Sequence, residues 1–70
     1  MYNYHTIFIN GQPFNCSKDM SLHEILLYLN FNTKNIIIEY NHEIIDMNRL
    51  HDFFLLDKDK IEVITIVGGG

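Results

Sequence analysis

The sequence is short of cysteine, of basic charge and of long apolar runs, and each shortage excludes a class of protein. Cys16 is the only cysteine among the 70 residues, so no internal disulfide can form. Because small secreted domains usually carry about two to four bridges, a reducing compartment is favoured. Five basic against nine acidic side chains give a net charge of −4, which argues against nucleic-acid binding.

Neither a membrane span nor a secretory leader is expected. The longest apolar run, residues 25–29, is far shorter than the roughly 20 residues of a spanning helix. The chain also does not open with the basic, apolar and small-residue series of a signal peptide. Alanine and tryptophan are absent, whereas isoleucine occurs eleven times and asparagine eight times. This skew is typical of an A+T-rich genome, such as that of a plastid or of some bacteria.

Local patterns predict five strands and one helix in a single domain. The predicted strands cover residues 4–10, 14–16, 35–40, 61–67 and, as a short edge strand, 53–56, with a brief return of the chain over residues 43–45. Asn10-Gly11 is a strong hairpin signal, because both residues tolerate positive φ. Ser21 and Glu24 form a capping box ahead of a helix of about nine residues. Helical and strand periodicity place the core on Ile7, Ile9, Leu22, Ile25, Leu26, Leu29, Ile61 and Val63.

Four features occur together in this chain: Ile-Phe-Ile-Asn-Gly at residues 7–11, the capped helix, the segment 36–45 and Ile-Val-Gly-Gly-Gly at residues 66–70. In these features the chain resembles the ThiS family of sulfur carriers. The resemblance implies an α+β, β-grasp (ubiquitin-like) fold, with a mixed sheet of four to five strands, one main helix on one face, and parallel first and last strands. A single β-grasp domain is thus expected over residues 1–67, followed by a flexible glycine tail at 68–70.

Catalysis by this chain is not expected. Gly11 is the only interior glycine, so no phosphate-binding loop exists. Solvated surface positions are expected for the four histidines, His5, His23, His42 and His51, whose spacing does not suggest a metal site. Cys16 is interpreted as a small packing residue and not as a nucleophile. The carboxylates Asp57, Asp59 and Glu62 are interpreted as part of a solvated turn.

The glycine tail is the most informative feature of the sequence. Gly68, Gly69 and Gly70 add nothing to a fold, yet three extended residues reach roughly 10 Å and can enter a narrow channel. A frayed terminus is the alternative interpretation. A terminal carboxylate, with a reference pKa of about 3.3–3.7, is ionised and is a poor electrophile at neutral pH. Acyl transfer from it therefore needs adenylation by a partner that binds ATP.

The resemblance supplies that chemistry. It implies that Gly70 is adenylated by an E1-like (ThiF-like) enzyme and converted to a thiocarboxylate, with sulfur from a persulfide donor such as a cysteine desulfurase. A ThiG-like thiazole synthase then uses the sulfur in thiamine biosynthesis. Gly68 and Gly69 provide reach, no cofactor is bound, and ATP is used by the partner enzyme. The chain is thus expected to be a carrier, acting in the cytoplasm or, if the source is an alga, in the plastid stroma.

Two alternative functions remain at the level of sequence. The small subunit of molybdopterin synthase has the same chemistry and also ends in diglycine. A ubiquitin-like interaction module with an inert tail would belong to a different class.

Strand periodicity also predicts a partner-binding surface. If Glu62 faces solvent, Ile64 and Ile66 lie on the same side of the last strand. Phe8 faces outward by the same reasoning on the first strand. With the two strands adjacent, as the resemblance implies, Phe8, Ile64 and Ile66 are expected to form an exposed apolar patch, of the kind that marks partner surfaces. A loop covering these side chains, or a register shifted by one residue, is the alternative.

Overall fold

The computed structural model describes residues 3–66, which form a mixed sheet with one α-helix. The elements in chain order are the strands β1 (Tyr4–Ile9) and β2 (Gln12–Ser17), the helix α1 (Leu22–Tyr28), the strands β3 (Ile36–Tyr40) and β4 (Glu43–Ile44), a 3₁₀ helix (Met47–Asp52) and the strand β5 (Lys60–Thr65). The strand order in the sheet is β2-β1-β5-β3-β4. β1 and β5 are parallel, and the other neighbours are antiparallel. The predicted α+β architecture with parallel first and last strands is therefore confirmed.

The opening hairpin follows from its two turn residues. Asn10 and Gly11 have φ angles of 53° and 83°, and two consecutive positive values are what a two-residue turn between twisted strands requires. The register pairs Ile9 with Gln12 and continues to Tyr4 with Ser17. β2 is therefore longer than the predicted strand at residues 14–16, and it includes Pro13.

The helix begins at the predicted capping box. Ser21 Oγ accepts a hydrogen bond from the Glu24 amide at 3.2 Å, and Glu24 Oε1 accepts one from the Ser21 amide at 2.9 Å. The Ser21 amide, which donates to the charged carboxylate, and the Ser21 hydroxyl beside it lower the pKa of Glu24. The helix ends at Tyr28, so it is shorter than predicted, and Leu29 is its C-cap.

The core lies between α1 and one face of the sheet. Its buried members are Ile7, Ile9, Cys16, Leu22, Ile25, Leu26, Ile36, Ile38, Ile45, Leu50, Leu55, Ile61 and Val63. Seven of the eight predicted core residues are among them. The exception is Leu29, which is only partly buried because the helix has ended and the C-cap lies at the margin of the core.

The prediction of a short edge strand at residues 53–56 is wrong. The preceding residues instead form the 3₁₀ helix, which Asp46 caps by accepting a hydrogen bond from the Asn48 amide at 2.9 Å. The Phe53 carbonyl then accepts a hydrogen bond from the Leu22 amide at 2.7 Å, so this segment bonds to the helix start and not to the sheet. Leu50 and Leu55 close the core from this side.

Residues 57–58 form the predicted solvated turn, and the carboxylates of Asp57 and Asp59 also accept hydrogen bonds there. Asp57 Oδ1 accepts the Thr6 amide at 2.8 Å, and Asp59 Oδ2 accepts the Leu56 amide at 2.7 Å and the Tyr40 hydroxyl at 2.9 Å. The hydrogen bond to Asp59 raises the pKa of Tyr40. Both aspartates therefore hold the turn that starts β5 beside β1.

Candidate functional site

The last strand lies in the middle of the sheet and leads toward the glycine tail. β5 has β1 on one side and β3 on the other. The Phe8 amide donates to the Asp59 carbonyl at 2.8 Å, and the Asn10 amide donates to the Ile61 carbonyl at 3.1 Å. The parallel pairing with β1 thus ends where the hairpin turns, although β5 continues to Thr65.

Beyond Ile61, the side chain of Asn10 takes the place of β1 as the hydrogen-bonding partner of β5. Asn10 Oδ1 accepts a hydrogen bond from the Val63 amide at 2.8 Å, and Asn10 Nδ2 donates to the Val63 carbonyl at 3.3 Å. A side-chain amide has the same donor and acceptor pair as a peptide group, so it can bond to both backbone groups of one residue at an unpaired strand edge. Sequence reasoning identified Asn10 only as a turn residue; its second role depends on the strand order.

On the opposite side, β3 pairs with β5 as far as Thr65, and one more hydrogen bond follows just beyond the two strands. The Ile66 amide donates to the Asn35 carbonyl at 2.7 Å. The predicted sulfur-carrying Gly70, with Gly68 and Gly69, lies outside the described residues. Within the described residues, the chain therefore stays hydrogen-bonded on the β3 side of the sheet as far as Ile66.

Ile64 and Ile66 lie on the face of the sheet that α1 does not cover. Their side chains are 42% and 49% exposed, although both are apolar. The register places Ile37 of β3 directly beside Ile64 and on the same face. Ile44, which pairs with Glu39, is 71% exposed at the β4 edge of this face. We call Ile37, Ile44, Ile64 and Ile66 the outer apolar group.

Phe8 shares this face but is not adjacent to Ile64. It is half-buried, and its partner across the sheet is Lys60. Lys60 and Ile64 are separated by four residues of strand, which corresponds to about 13 Å. The structure thus brings Ile64 together with Ile37, whereas Phe8 lies in a shallow groove with Gly11, Lys60 and Glu62. Ile37 was missed because its position next to Ile64 depends on the β3–β5 register.

The outer face is acidic between its apolar positions. Glu39 and Glu62 are directly opposite each other in the register, which is unfavourable for two like charges. Lys60, two residues from Glu62 on the same face, is the nearest cation along β5. This arrangement suits a partner surface that combines apolar and basic groups, because such a surface relieves the repulsion between the carboxylates.

The residues that could have suggested catalysis have structural roles or are isolated. Cys16 is buried, and burial raises the pKa of its thiol, which opposes formation of a nucleophilic thiolate. His5 is also buried, so its predicted place on the surface is wrong. It faces the interior beside Cys16, with which it pairs across the hairpin. His23 and His51 pack against each other, with ring centroids 4.0 Å apart.

Residues 3–66 contain neither a metal-binding cluster nor a membrane-spanning helix. The part of the chain that the structure describes contains no group of three or more His, Cys, Asp or Glu side chains placed to hold a metal ion. Over the same residues, no helix has the length and apolar character needed to cross a bilayer.

Comparison with known proteins gives a consistent family. The sequence model of the ThiS family matches residues 7–70. The uncharacterized protein ycf40 of Pyropia yezoensis is 51% identical over 65 residues, covering 93% of this chain and 92% of that protein. The sulfur carrier protein ThiS of Bacillus subtilis is 36% identical over 63 residues, covering 89% of this chain and 96% of that protein.

A third relative is much longer than this chain. Thiazole synthase of Magnetococcus marinus is 30% identical over 64 residues, which cover 91% of this chain but only 20% of the synthase. A segment similar to this chain is therefore built into that synthase.

Solved structures confirm the β-grasp fold. The crystal structure of ThiS from Geobacter metallireducens superposes with a TM-score of 0.77 at 22% identity, covering 93% of this chain and 99% of that one. The ubiquitin-like domain of yeast Ddi1 gives a TM-score of 0.62 at 21% identity, covering 100% and 98%. At such identities, the likeness shows the fold alone.

Proposed function

Because the chain belongs to the ThiS family of sulfur carriers, we propose that it delivers sulfur as a thiocarboxylate on Gly70 for thiazole synthesis in thiamine biosynthesis. ThiS is a small carrier protein and not a catalyst. The observation that carries the proposal is the family match, which extends through residue 70 and so includes the whole glycine tail. The position of β5 agrees with it, because the central strand of the sheet leads toward that tail.

The proposed reaction has three steps: adenylation, sulfur transfer and reduction. An E1-like, ThiF-like partner transfers AMP from ATP to the Gly70 carboxylate and releases pyrophosphate, which converts a poor electrophile into an activated acyl group. The terminal sulfur of a persulfide, supplied by a donor such as a cysteine desulfurase, displaces AMP and leaves an acyl disulfide. A thiol then reduces this disulfide, and the thiocarboxylate is released.

The recipient of the sulfur is proposed to be a ThiG-like thiazole synthase. The segment similar to this chain within the thiazole synthase of Magnetococcus marinus supports this choice over molybdopterin synthase. The algal ycf40 relatives, and an amino-acid composition typical of an A+T-rich genome, support a location in the plastid stroma. Docking would use the outer apolar group together with Phe8, with basic groups of the partner facing Glu39 and Glu62.

The test is intact-mass analysis after incubation with an E1-like enzyme, ATP and a persulfide donor. We expect an ATP-dependent gain equal to the replacement of one oxygen by sulfur. ThiS of Bacillus subtilis, treated in parallel, shows whether the enzymes are active. If that control is modified and this chain is not, the chain is an inert ubiquitin-like module. Transfer from the modified chain to molybdopterin synthase, and not to thiazole synthase, would overturn the proposed recipient.

The outer apolar group can be tested separately with Ile64→Asp. We expect binding to the adenylating enzyme to weaken about tenfold or more, because an aspartate would lose the apolar contact of Ile64 and would have to give up its hydration at an apolar interface. The exposed position of Ile64 limits the loss of stability to about 1 kcal/mol. Binding is measured by calorimetry, and folding by thermal denaturation.

Leu27→Asp is the matched control for this variant. Leu27 is 53% exposed on α1, and the substitution adds the same charge on the other side of the sheet. We expect it to leave binding unchanged. Equal weakening by both variants would remove the outer apolar group from the docking surface, and unfolding of Ile64→Asp would show that this side chain supports the fold.

A further inference from the structure

β2 is an edge strand whose free backbone groups can be assigned one by one. Hydrogen-bonded pairs in an antiparallel ladder alternate along the strand, and the Lys18 amide donates to the Asn3 carbonyl at 2.7 Å. With the register fixed, residues 12, 14 and 16 bond to β1. The backbone groups of Pro13, Asn15 and Ser17 therefore point away from the sheet.

Two of these outward-facing positions are already closed. Pro13 has no N–H to donate. The Ser17 carbonyl accepts the Met20 amide at 3.1 Å. Within residues 3–66, the groups that remain open along this edge are the N–H and C=O of Asn15, the N–H of Ser17 and the C=O of Pro13.

This pattern is complementary to itself. When two copies of β2 run antiparallel with Asn15 opposite Asn15, Ser17 of each copy lies opposite Pro13 of the other. The two Asn15 residues exchange two hydrogen bonds, and each Ser17 N–H donates to the opposing Pro13 carbonyl. Pro13, which has no N–H, then lies opposite the Ser17 carbonyl, which already accepts the Met20 amide. Every open group on each copy is satisfied, and each closed group faces a closed group.

We propose that this chain forms a two-fold symmetric dimer by antiparallel pairing of β2 with β2 of a second copy, centred on Asn15. The product is a continuous ten-stranded sheet, since each copy contributes five strands. A two-fold axis requires a self-complementary surface, and the edge of β2 has one. This inference goes beyond the proposed function and does not depend on it.

The surroundings of β2 favour the same pairing. A groove of about 280 Å³ follows the edge between β2 and the end of α1, and its lining is mainly apolar. Phe14 and Cys16 line it from the helix side of the strand, and Met20 and Leu29 extend it. In the proposed register, Phe14 of each copy lies beside Cys16 of the other, so the two grooves join across the axis. Burial of this apolar lining supplies a driving force besides the four hydrogen bonds.

No charged side chain within β2 opposes the pairing. The strand Gln12–Ser17 contains no charged side chain, although edge strands are commonly protected by lysine. Lys18, the next residue, lies opposite Gln12 of the other copy and not opposite another lysine. The second copy also leaves the outer apolar group accessible, because β1 separates β2 from β5. A dimer of this kind can therefore dock a partner on each half.

The experiment is a charge-swap test by sedimentation velocity. At about 0.15 M salt, we expect the dimer fraction of the unaltered chain to rise as the protein concentration increases from about 10 μM to about 1 mM. Dissociation constants in this range are typical of a small interface. Asn15→Lys and Asn15→Asp each place two like charges opposite each other at the axis. Each variant alone is expected to dimerise about tenfold more weakly or worse. An equimolar mixture is expected to recover dimerisation, because lysine then faces aspartate.

Asn48→Lys is the matched control. It introduces the same change of residue on the exposed side of the 3₁₀ helix, away from β2, and should leave dimerisation unchanged. Both lysine variants bring the net charge of −4 one unit closer to zero, so a loss confined to Asn15→Lys cannot come from overall repulsion. A monomer at every concentration, or no recovery in the mixture of folded variants, would overturn the proposal. Circular dichroism of each variant verifies folding, since Asn15 Oδ1 also accepts the Thr6 hydroxyl at 2.9 Å.

Discussion

Adding one alanine after Gly70, or deleting Gly70, is expected to abolish thiocarboxylate formation without changing the fold. Among residues 3–66, the buried core runs from Ile7 to Val63, and Gly70 lies seven residues beyond the last of these in the sequence. The free energy of unfolding should therefore stay within about 0.5 kcal/mol of the unaltered chain, as is usual for changes away from packed features. Loss of modification with unchanged stability would separate the function of the tail from that of the domain.

The size of the effect follows from the geometry of adenylation. One extra residue moves the terminal carboxylate by about 3.5 Å along an extended chain. A misplacement of about 1 Å between reacting atoms already costs roughly a hundredfold in rate. The adenylating enzyme must bring this carboxylate to the α-phosphate of ATP, so a displacement several times larger should reduce the rate below detection.

The measurement is intact mass after timed incubation with the enzyme, ATP and a persulfide donor, combined with urea denaturation of each variant. Gly69→Val should act in the same direction, because a branched side chain would have to pass through a narrow channel. Gly69→Ala is its graded control and should have a smaller effect. Normal modification of the alanine-extended chain would contradict the assignment of Gly70 as the sulfur-carrying residue.

The parts of the fold that sequence predicted are those specified by neighbouring residues. Asn10-Gly11 requires a tight turn, whatever lies elsewhere in the chain. Ser21 and Glu24 are three residues apart, and their reciprocal hydrogen bonds form within one turn of helix. Such local signals were sufficient for the hairpin, for the start of the helix and for most of the core.

The parts that sequence did not predict depend on contacts between distant residues. The segment around the 3₁₀ helix shows no regular apolar period, and it is held by a hydrogen bond from Leu22 to Phe53. Leu50 and Leu55 were thus not identified as core residues, although both are buried. A 3₁₀ helix of six residues with tertiary partners is too short to leave a periodic pattern in the sequence.

The candidate docking surface was also predicted only in part, because it depends on the register between two strands that are distant in sequence. Alternation placed Phe8, Ile64 and Ile66 on one face, and the structure places them there. Their separation along the strands depends on the register between β1 and β5, which no turn fixes because the two strands lie at opposite ends of the chain. The register sets Phe8 beside Lys60 and gives Ile64 a different apolar neighbour, Ile37. The role of these residues in docking stays a prediction.

Leu26→Ala is expected to destabilise the domain by about 2–5 kcal/mol, the usual range for truncating a fully buried leucine. Leu26 is 0% exposed and belongs to the core between α1 and the sheet. A chain of this length is stabilised by only about 4–10 kcal/mol in total, so the substitution removes a large part of its stability. Urea denaturation measures the difference.

Leu27→Ala provides a control on the same helix with the same chemistry. Leu27 is exposed, so its truncation should change stability by no more than about 0.5 kcal/mol. Equal destabilisation by the two variants would contradict the assignment of the buried helix face. Leu26→Ala does not alter the glycine tail, so we expect its adenylation to follow the fraction of the chain that is folded at the assay temperature. Complete modification at a temperature where this variant is unfolded would mean that the adenylating enzyme recognises the tail without the domain.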